Sequence, residues 1–230
     1  MQRHLDDELR ILNQEILRMG SLVEEALAKT MKALVERNIQ LAEEVITSDE
    51  AINMLEIEVD EICLRLLALH QPAAVDLRFI VMALKINNDL ERMGDQAVNI
   101  AERTVGLLKE PLLKPLIDIP RMALIAQRMV KDSLDAFVNR DPALARDVCK
   151  RDDEVDALND RLFAELLDFM RRDPSTVARA VDLILIGRHL ERVADHATNL
   201  AEDVIYLVQG RNIKHHLEEK QPPASAAPIV

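Results

Sequence analysis

The sequence repeats itself, and that repeat limits the fold more than any other feature. Leu90-Glu-Arg-Met-Gly-Asp-Gln-Ala-Val-Asn-Ile-Ala-Glu102 returns as Leu190-Glu-Arg-Val-Ala-Asp-His-Ala-Thr-Asn-Leu-Ala-Glu202, at a spacing of 100 residues. Further upstream the spacing is 103, where Ala33, Val35, Arg37, Leu41, Ala42 and Val45 match Ala136, Val138, Arg140, Leu144, Ala145 and Val148. A short indel separates the two registers. Each unit is about 85 residues long, which suits a duplicated helical bundle and gives too few copies for a solenoid.

Composition names the secondary structure of the unit. Aromatic residues make up 2% of the chain, Trp is absent and Gly numbers 5, whereas Leu, Ala, Glu, Asp and Arg abound; this balance favours long helices over sheets. The fold class predicted is all-α, two tandem three-helix bundles related by internal duplication. Breakers divide each unit. Asn38 and its counterpart Asp141 suit N-caps, with Pro142 at the first helical position, and Gln71-Pro72 and Asp173-Pro174 make the next break. Helices are expected near 3–37, 39–69, 73–108, 120–140, 142–171 and 174–209. The Pro-rich stretch from Lys109 to Leu116 reads as a linker, so the units are 1–109 and 120–210 with 110–119 between them. Gly210 suits a helix stop, and the polar, Pro-rich tail 211–230 has too little to bury and is expected to be disordered.

Charge and hydropathy exclude several functions. A net charge of -12 and a pI near 5.0 argue against nucleic acid, whose phosphates demand clustered cations. No apolar run approaches the roughly 20 residues of a membrane span, and Met1 to Glu8 lacks an apolar leader segment. A cytoplasmic location is expected. Cys63 and Cys149 stand alone without Cys-x-x-Cys spacing, as reduced core thiols do.

The repeated motif carries chemistry. On a helix, Glu91, Asp95, Asn99 and Glu102 fall within about 80° of one another, on a stripe that also holds Leu77, Ile80, Leu84, Val98 and Val105. The second copy places Glu191, Asp195, Asn199 and Glu202 on a stripe with Val177, Ala180, Ile184 and Ile205. The preceding helix of each unit supplies a partner stripe: Asp49, Asn53, Glu56 and Asp60 in the first, Asp152, Asp156 and Asp160 in the second. The turn between the helices is short, so they run antiparallel and the stripes come level. Isolated Glu-x-x-x-Asp spacing is usually a solvated face; duplication, an apolar setting and a facing acidic stripe weigh against that here. Converging carboxylates repel and raise one another's pKa unless a cation intervenes, and oxygen-only ligands suit Mg, Mn, Ca or iron. A di-iron carboxylate enzyme would need Glu-x-x-His pairs. None is present, and no phosphate loop or nucleophile elbow appears. His196, beside Asp195, suits helix packing better than a ligand role.

Val45-Ile-Thr-Ser-Asp-Glu-Ala-Ile-Asn53, Asp60-Glu-Ile-Cys-Leu-Arg-Leu-Leu-Ala-Leu69, Leu84-Lys-Ile-Asn-Asn-Asp-Leu-Glu-Arg-Met-Gly-Asp95 and Asn99-Ile-Ala-Glu102 closely resemble the PhoU family of phosphate-signalling regulators, over roughly residues 5 to 210. The resemblance implies two three-helix bundles side by side, in a protein that restrains the phosphate-starvation response. It implies partners: a phosphate transporter's ATPase, a sensor histidine kinase and a second copy in a homodimer. It also implies iron or zinc on paired motifs, one site being Asp49, Asn53, Glu91 and Asp95 and the other Asp152, Asp156, Glu191 and Asp195. Asn99, Glu102, Asn199 and Glu202 are further candidates. Asn53 brings a neutral amide where its counterpart Asp156 brings charge, so weaker metal binding is expected in the first unit. The competing readings are a metal-binding helical scaffold, a relative serving another transporter, and a metal-dependent enzyme.

Overall fold

Six long helices form where the apolar residues recur at helical spacing, and they end where the breakers stand. The computed structural model describes residues 2–211 and 213; the expected disorder of the tail lies almost wholly outside them. The helices are α1 (Gln2–Glu36), α2 (Ile39–His70), α3 (Ala74–Leu107), α4 (Asp118–Asn139), α5 (Pro142–Arg172) and α6 (Val177–Gln209). Among the described residues there is no strand, and no helix is long and apolar enough to cross a membrane.

Local chemistry explains the ends. Asn38 accepts from the Leu41 N–H, and Asp141 accepts from the N–H groups of Ala143 and Leu144, so equivalent residues cap α2 and α5. Arg37, Gln71 and Arg140 take positive φ of 55°, 44° and 51°. Two departures from expectation are instructive. Pro174–Thr176 is a 3₁₀ turn rather than the start of α6, because Asp173 caps the Ser175 N–H and holds the chain in the tighter winding. Asp118 begins α4 ahead of Pro120, which is tolerated because the first-turn N–H groups have no intrahelical acceptor anyway.

Each bundle packs its three helices together, and α3 with α6 and α1 with α4 join the bundles. The substantial contacts of α2 and α5 stay within their own bundles. Four contacts fix the central pair: Asp89 with His196, Gln96 with His189, Lys85 with Asp203 and Arg103 with Asp182. Their order reverses along the helices, so α3 and α6 are antiparallel. Asp89 is the repeat equivalent of His189, and Gln96 of His196; the two hydrogen bonds, each 2.8 Å, are halves of one approximate twofold. His196 therefore ties the bundles together, in the packing role expected of it.

One continuous apolar core runs through both bundles. Three of its buried hydroxyls find backbone acceptors, Thr30 donating to the Ala97 carbonyl, Thr104 to Ile100 and Ser133 to Val130, as burial without water favours. The apolar stripes of α3 and α6 are less complete than expected. Ile80, Ala180 and Ile205 are fully buried, but the equivalent residues Leu77 and Val177 are 42% and 41% exposed. Both sit in the first turns of their helices.

Candidate functional site

The short turns after α2 and α5 bring the acidic stripes face to face as antiparallel pairing requires. In the first bundle, Gly94 of α3 lies against Ile52 and Asp49 of α2, and Asn87 bonds the Glu56 carbonyl and the Asp60 carboxylate. Asp49 is therefore level with Asp95, and Glu56 with Glu91. In the second, Gly187 of α6 meets Asn159 and Leu162 of α5, and Asn159 donates to Glu191.

Electrostatics registers the crowding. Burial raises the pKa of Asp49, and the charge of Asp95 raises it further, against a lowering hydrogen bond from Asn53 at 2.9 Å. Burial raises Glu91, followed by Asp95, and then by Glu56 and Asp49, with Arg92 opposing. In the second bundle Asp152 is pushed up to about 6 by burial first and then by Asp195, Asp156, Asp153 and Glu191. Asp156 is raised by burial, Glu191 and Asp195. So Asp49, Glu91 and Asp95 form one mutually repelling set, and Asp152, Asp156, Glu191 and Asp195 another.

A cation would relieve both sets, and the donor chemistry fits one. Asp49 Oδ1 and Asp152 Oδ1 are buried oxygens without a hydrogen-bond donor, an arrangement that costs stability unless something positive serves them, and buried Glu91 Oε2 has no hydrogen bond but the Arg92 guanidinium at 3.3 Å. The present side-chain positions do not yet enclose an ion. Among the described residues, no group of three His, Cys, Asp or Glu closes around one point. Cations on the same helices hold the acids aside: Arg92 reaches Glu91 and Asp95, and Arg188 reaches Glu191. Rotation of these exposed arginines would free the carboxylates.

The remaining candidates are placed differently. Glu102 is exposed, Asn99 is half-buried on α3 with no contact to the acids assigned, and Glu202 lies near Cys149, whose thiol it helps to raise. Asn199 lines a groove with Lys85, Asp89 and Asp203 of the central helix pair. Two residues outside the expected ligand sets belong at the sites. Glu56 faces Glu91, and its repeat equivalent is Asn159, which bonds Glu191. The amide has thus moved one turn between copies: Asn53 with Glu56 in the first, Asp156 with Asn159 in the second. Counting Glu56, each site gathers four carboxylates, so the charge deficit expected from Asn53 is made good. Carrying the spacing of 103 along the whole stripe would have found this in the sequence.

The family model of the PhoU domain matches residues 16–104 and again 119–204, once on each bundle. The chain belongs to the PhoU family. A phosphate-specific transport system accessory protein PhoU homolog from Aquifex aeolicus is 46% identical over 214 residues, covering 93% of this chain and 97% of that protein. One from Zymomonas mobilis is 38% identical, covering 96% and 93%. The crystal structure of PhoU from Pseudomonas aeruginosa superposes with a TM-score of 0.87 at 39% identity, covering 90% of this chain and 99% of that one. The phosphate transport system regulatory protein PhoU from Streptococcus pneumoniae gives 0.86 at 32% identity, covering 91% and 99%. Membership in the PhoU family accounts for the six helices and the two bundles together.

Proposed function

We propose that this chain is a cytoplasmic accessory regulator of phosphate transport, restraining the phosphate-starvation response by protein contacts with a transporter ATPase and a sensor histidine kinase. Its relatives' role as phosphate transport accessory proteins supports the first part. The exposed apolar residues of the outer helices support contact-based action: Met54, Ile57 and Leu64 on α2 are 61%, 51% and 63% exposed, and Phe163 on α5 is 50% exposed. Side chains of this kind on an otherwise charged surface suit protein partners, a second copy in a homodimer among them. A catalytic reading finds less support. Burial pushes the two thiols up to about 12 at Cys63 and about 11 at Cys149, away from the thiolate that a nucleophile needs.

The observation that carries the metal-binding half is the pair of matched carboxylate sets with orphaned buried oxygens. Asp49, Asn53, Glu56, Glu91 and Asp95 would hold one ion or cluster, and Asp152, Asp156, Glu191 and Asp195 the other. Iron or zinc follows the family resemblance, and Mg, Mn or Ca would suit the oxygen donors. Binding would neutralise repulsion and stiffen the α2–α3 and α5–α6 pairs. The second site is expected to bind more tightly, now because Asp152 is the most strongly perturbed carboxyl of the two sets. Elemental analysis of protein purified without chelator tests this, comparing wild type with Glu91→Gln and Glu191→Gln. The expected loss of metal is larger for Glu191→Gln; unchanged metal content in both variants would leave a purely structural scaffold. For the regulatory half, deletion should derepress phosphate-uptake genes, and co-purification should recover the ATPase or the kinase. Failure of both would refute it.

A further inference from the structure

The two carboxylate sets match each other, but their surroundings do not. Beside the first set, a cavity of about 210 Å³ lies between α1, α2 and α3, with Lys29, Ser48, Asp49 and Gly94 among its lining. It has room for several waters, and exposed Ser48 stands at its mouth. Lys29 pairs with Glu25 on its own helix at 2.7 Å, and the Ser48 hydroxyl donates to the Val45 carbonyl on its own helix at 3.1 Å. Neither bond crosses the cavity. The orphaned Asp49 Oδ1 lies just behind the wall, where a Cβ on Gly94 would stand 3.6 Å from it.

The repeat identifies the same place in the second bundle. At the spacing of 103, Thr30 falls on Ser133, both fully buried, and Asp49 falls on Asp152, so the register holds through the first two helices of each unit. Lys29 then becomes Asp132 and Ser48 becomes Arg151. These two residues join α4 to α5. Arg151 Nη1 lies 2.6 Å from Asp132 Oδ2, while Nη2 is anchored on Asp147 Oδ2, also at 2.6 Å. A guanidinium held by two carboxylates is fixed in direction as well as strongly bound. Two small residues are also enlarged: Ala26 becomes Met129 and, at the spacing of 100, Gly94 becomes Ala194, both fully buried. The second bundle closes what the first leaves open.

An ion leaves a carboxylate site by exchanging those oxygens for water, because a bare charge does not cross an apolar core. We propose that the first carboxylate set exchanges its cation with solvent through this cavity, and that the Asp132–Arg151 pair closes the equivalent route and retains the cation of the second set. The first site is then the responsive one, filled or emptied as ion supply changes, and the second is a fixed brace between α5 and α6. This rests on the metal-binding reading above.

Zinc exchange in the full chain tests it. Chelator-stripped protein is reloaded with zinc, and uptake and release are followed by stopped flow with a chromogenic chelator. Release is expected in two phases at least about tenfold apart, Asp49→Asn removing the fast one and Asp152→Asn the slow one. Lys29→Asp with Ser48→Arg transplants the ion pair onto the first bundle and should slow its uptake and release together by about fivefold or more. Uptake decides the cause, since these substitutions together add one negative charge, which alone would quicken the arrival of a cation. Asp132→Lys with Arg151→Ser should speed the slow phase by a similar factor. A single release rate for both ions would overturn the proposal and leave the metal-binding reading intact, as would unchanged rates in both double variants. Stripped protein that takes up no zinc would refute that reading and this proposal with it.

Discussion

Asp152 shows how one residue can record the design of a site. Its carboxyl is pushed up to about 6 by burial and by four neighbouring acids, whereas in an unfolded chain it would titrate near 3.9. The folded state therefore holds the proton more tightly, and between those values it binds more protons than the unfolded state does. Stability from this group is full below about pH 4 and is lost as pH rises through about 6. A fully sheltered carboxyl would lose about 3 kcal/mol, which solvent screening at this half-buried position reduces to about 1 to 2. In chelator-treated protein, Asp152→Asn should match wild type in urea unfolding below about pH 4 and exceed it by that amount at pH 7.5. A difference that does not grow with pH would refute this account. The acids themselves were legible in the sequence because helical spacing put them on one stripe. The exchange of Glu56 for Asn159 between the copies was legible too, once the spacing of 103 is carried along the stripe; the hydrogen bond from Asn159 to Glu191 was not, since it depends on side-chain direction.

At the scale of elements, two helical glycines, Gly187 inside α6 and Gly106 in the last turn of α3, test packing against propensity. A Cβ at Gly187 would lie 2.7 Å from Asn159 Oδ1 and 2.8 Å from Leu162 Cδ2, whereas at Gly106 the nearest neighbour is Asp182 Oδ2 at 3.8 Å. Gly106→Ala should stabilise by no more than about 0.5 kcal/mol, because the interior propensity gain is only partly felt in a last turn. Gly187→Ala should lose about 1 kcal/mol net, because overpacking at about 1–3 kcal/mol outweighs the interior propensity gain, and it should displace Asn159 from Glu191. Urea unfolding of both variants checks the signs; stabilisation of both would mean that α5 yields readily. Caps and breakers placed most helix ends from sequence alone, as Asn38 and Asp141 did. The left-handed ends at Arg37 and Arg140 escaped it, since arginine carries no signal for positive φ. At Arg37 the carbonyls that its guanidinium reaches belong to Leu108 and Glu110, 71 and 73 residues further along the chain.

Across the whole molecule, the two bundles share one core and a long antiparallel α3–α6 contact. Gly20, buried on α1, lets α1 approach α4 so closely that a Cβ would stand 2.6 Å from Leu134 Cδ1. Heat should therefore unfold both bundles in one transition, with calorimetric and van't Hoff enthalpies equal. Two resolved transitions would show that the bundles are thermodynamically separate. Leu190→Ala, at a position only 1% exposed on the central helix, should cost about 2 to 5 kcal/mol and lower that single transition as a unit.

The sequence by itself determined the all-helical class, the duplication, most helix ends and the acidic stripes, because each of these depends on residue type at short, regular spacing. Only the tertiary structure decided which acids meet, how far the arginines hold them apart, and how the two bundles join through His189 and His196. Those outcomes turn on register between helices and on side-chain direction, which residues distant in the chain settle together. The matched Glu-x-x-x-Asp motifs were visible as strings. Their pairing with the stripes of Asp49 and Asp152 followed from the short turns between helices; the orphaned oxygens that result belong to the fold.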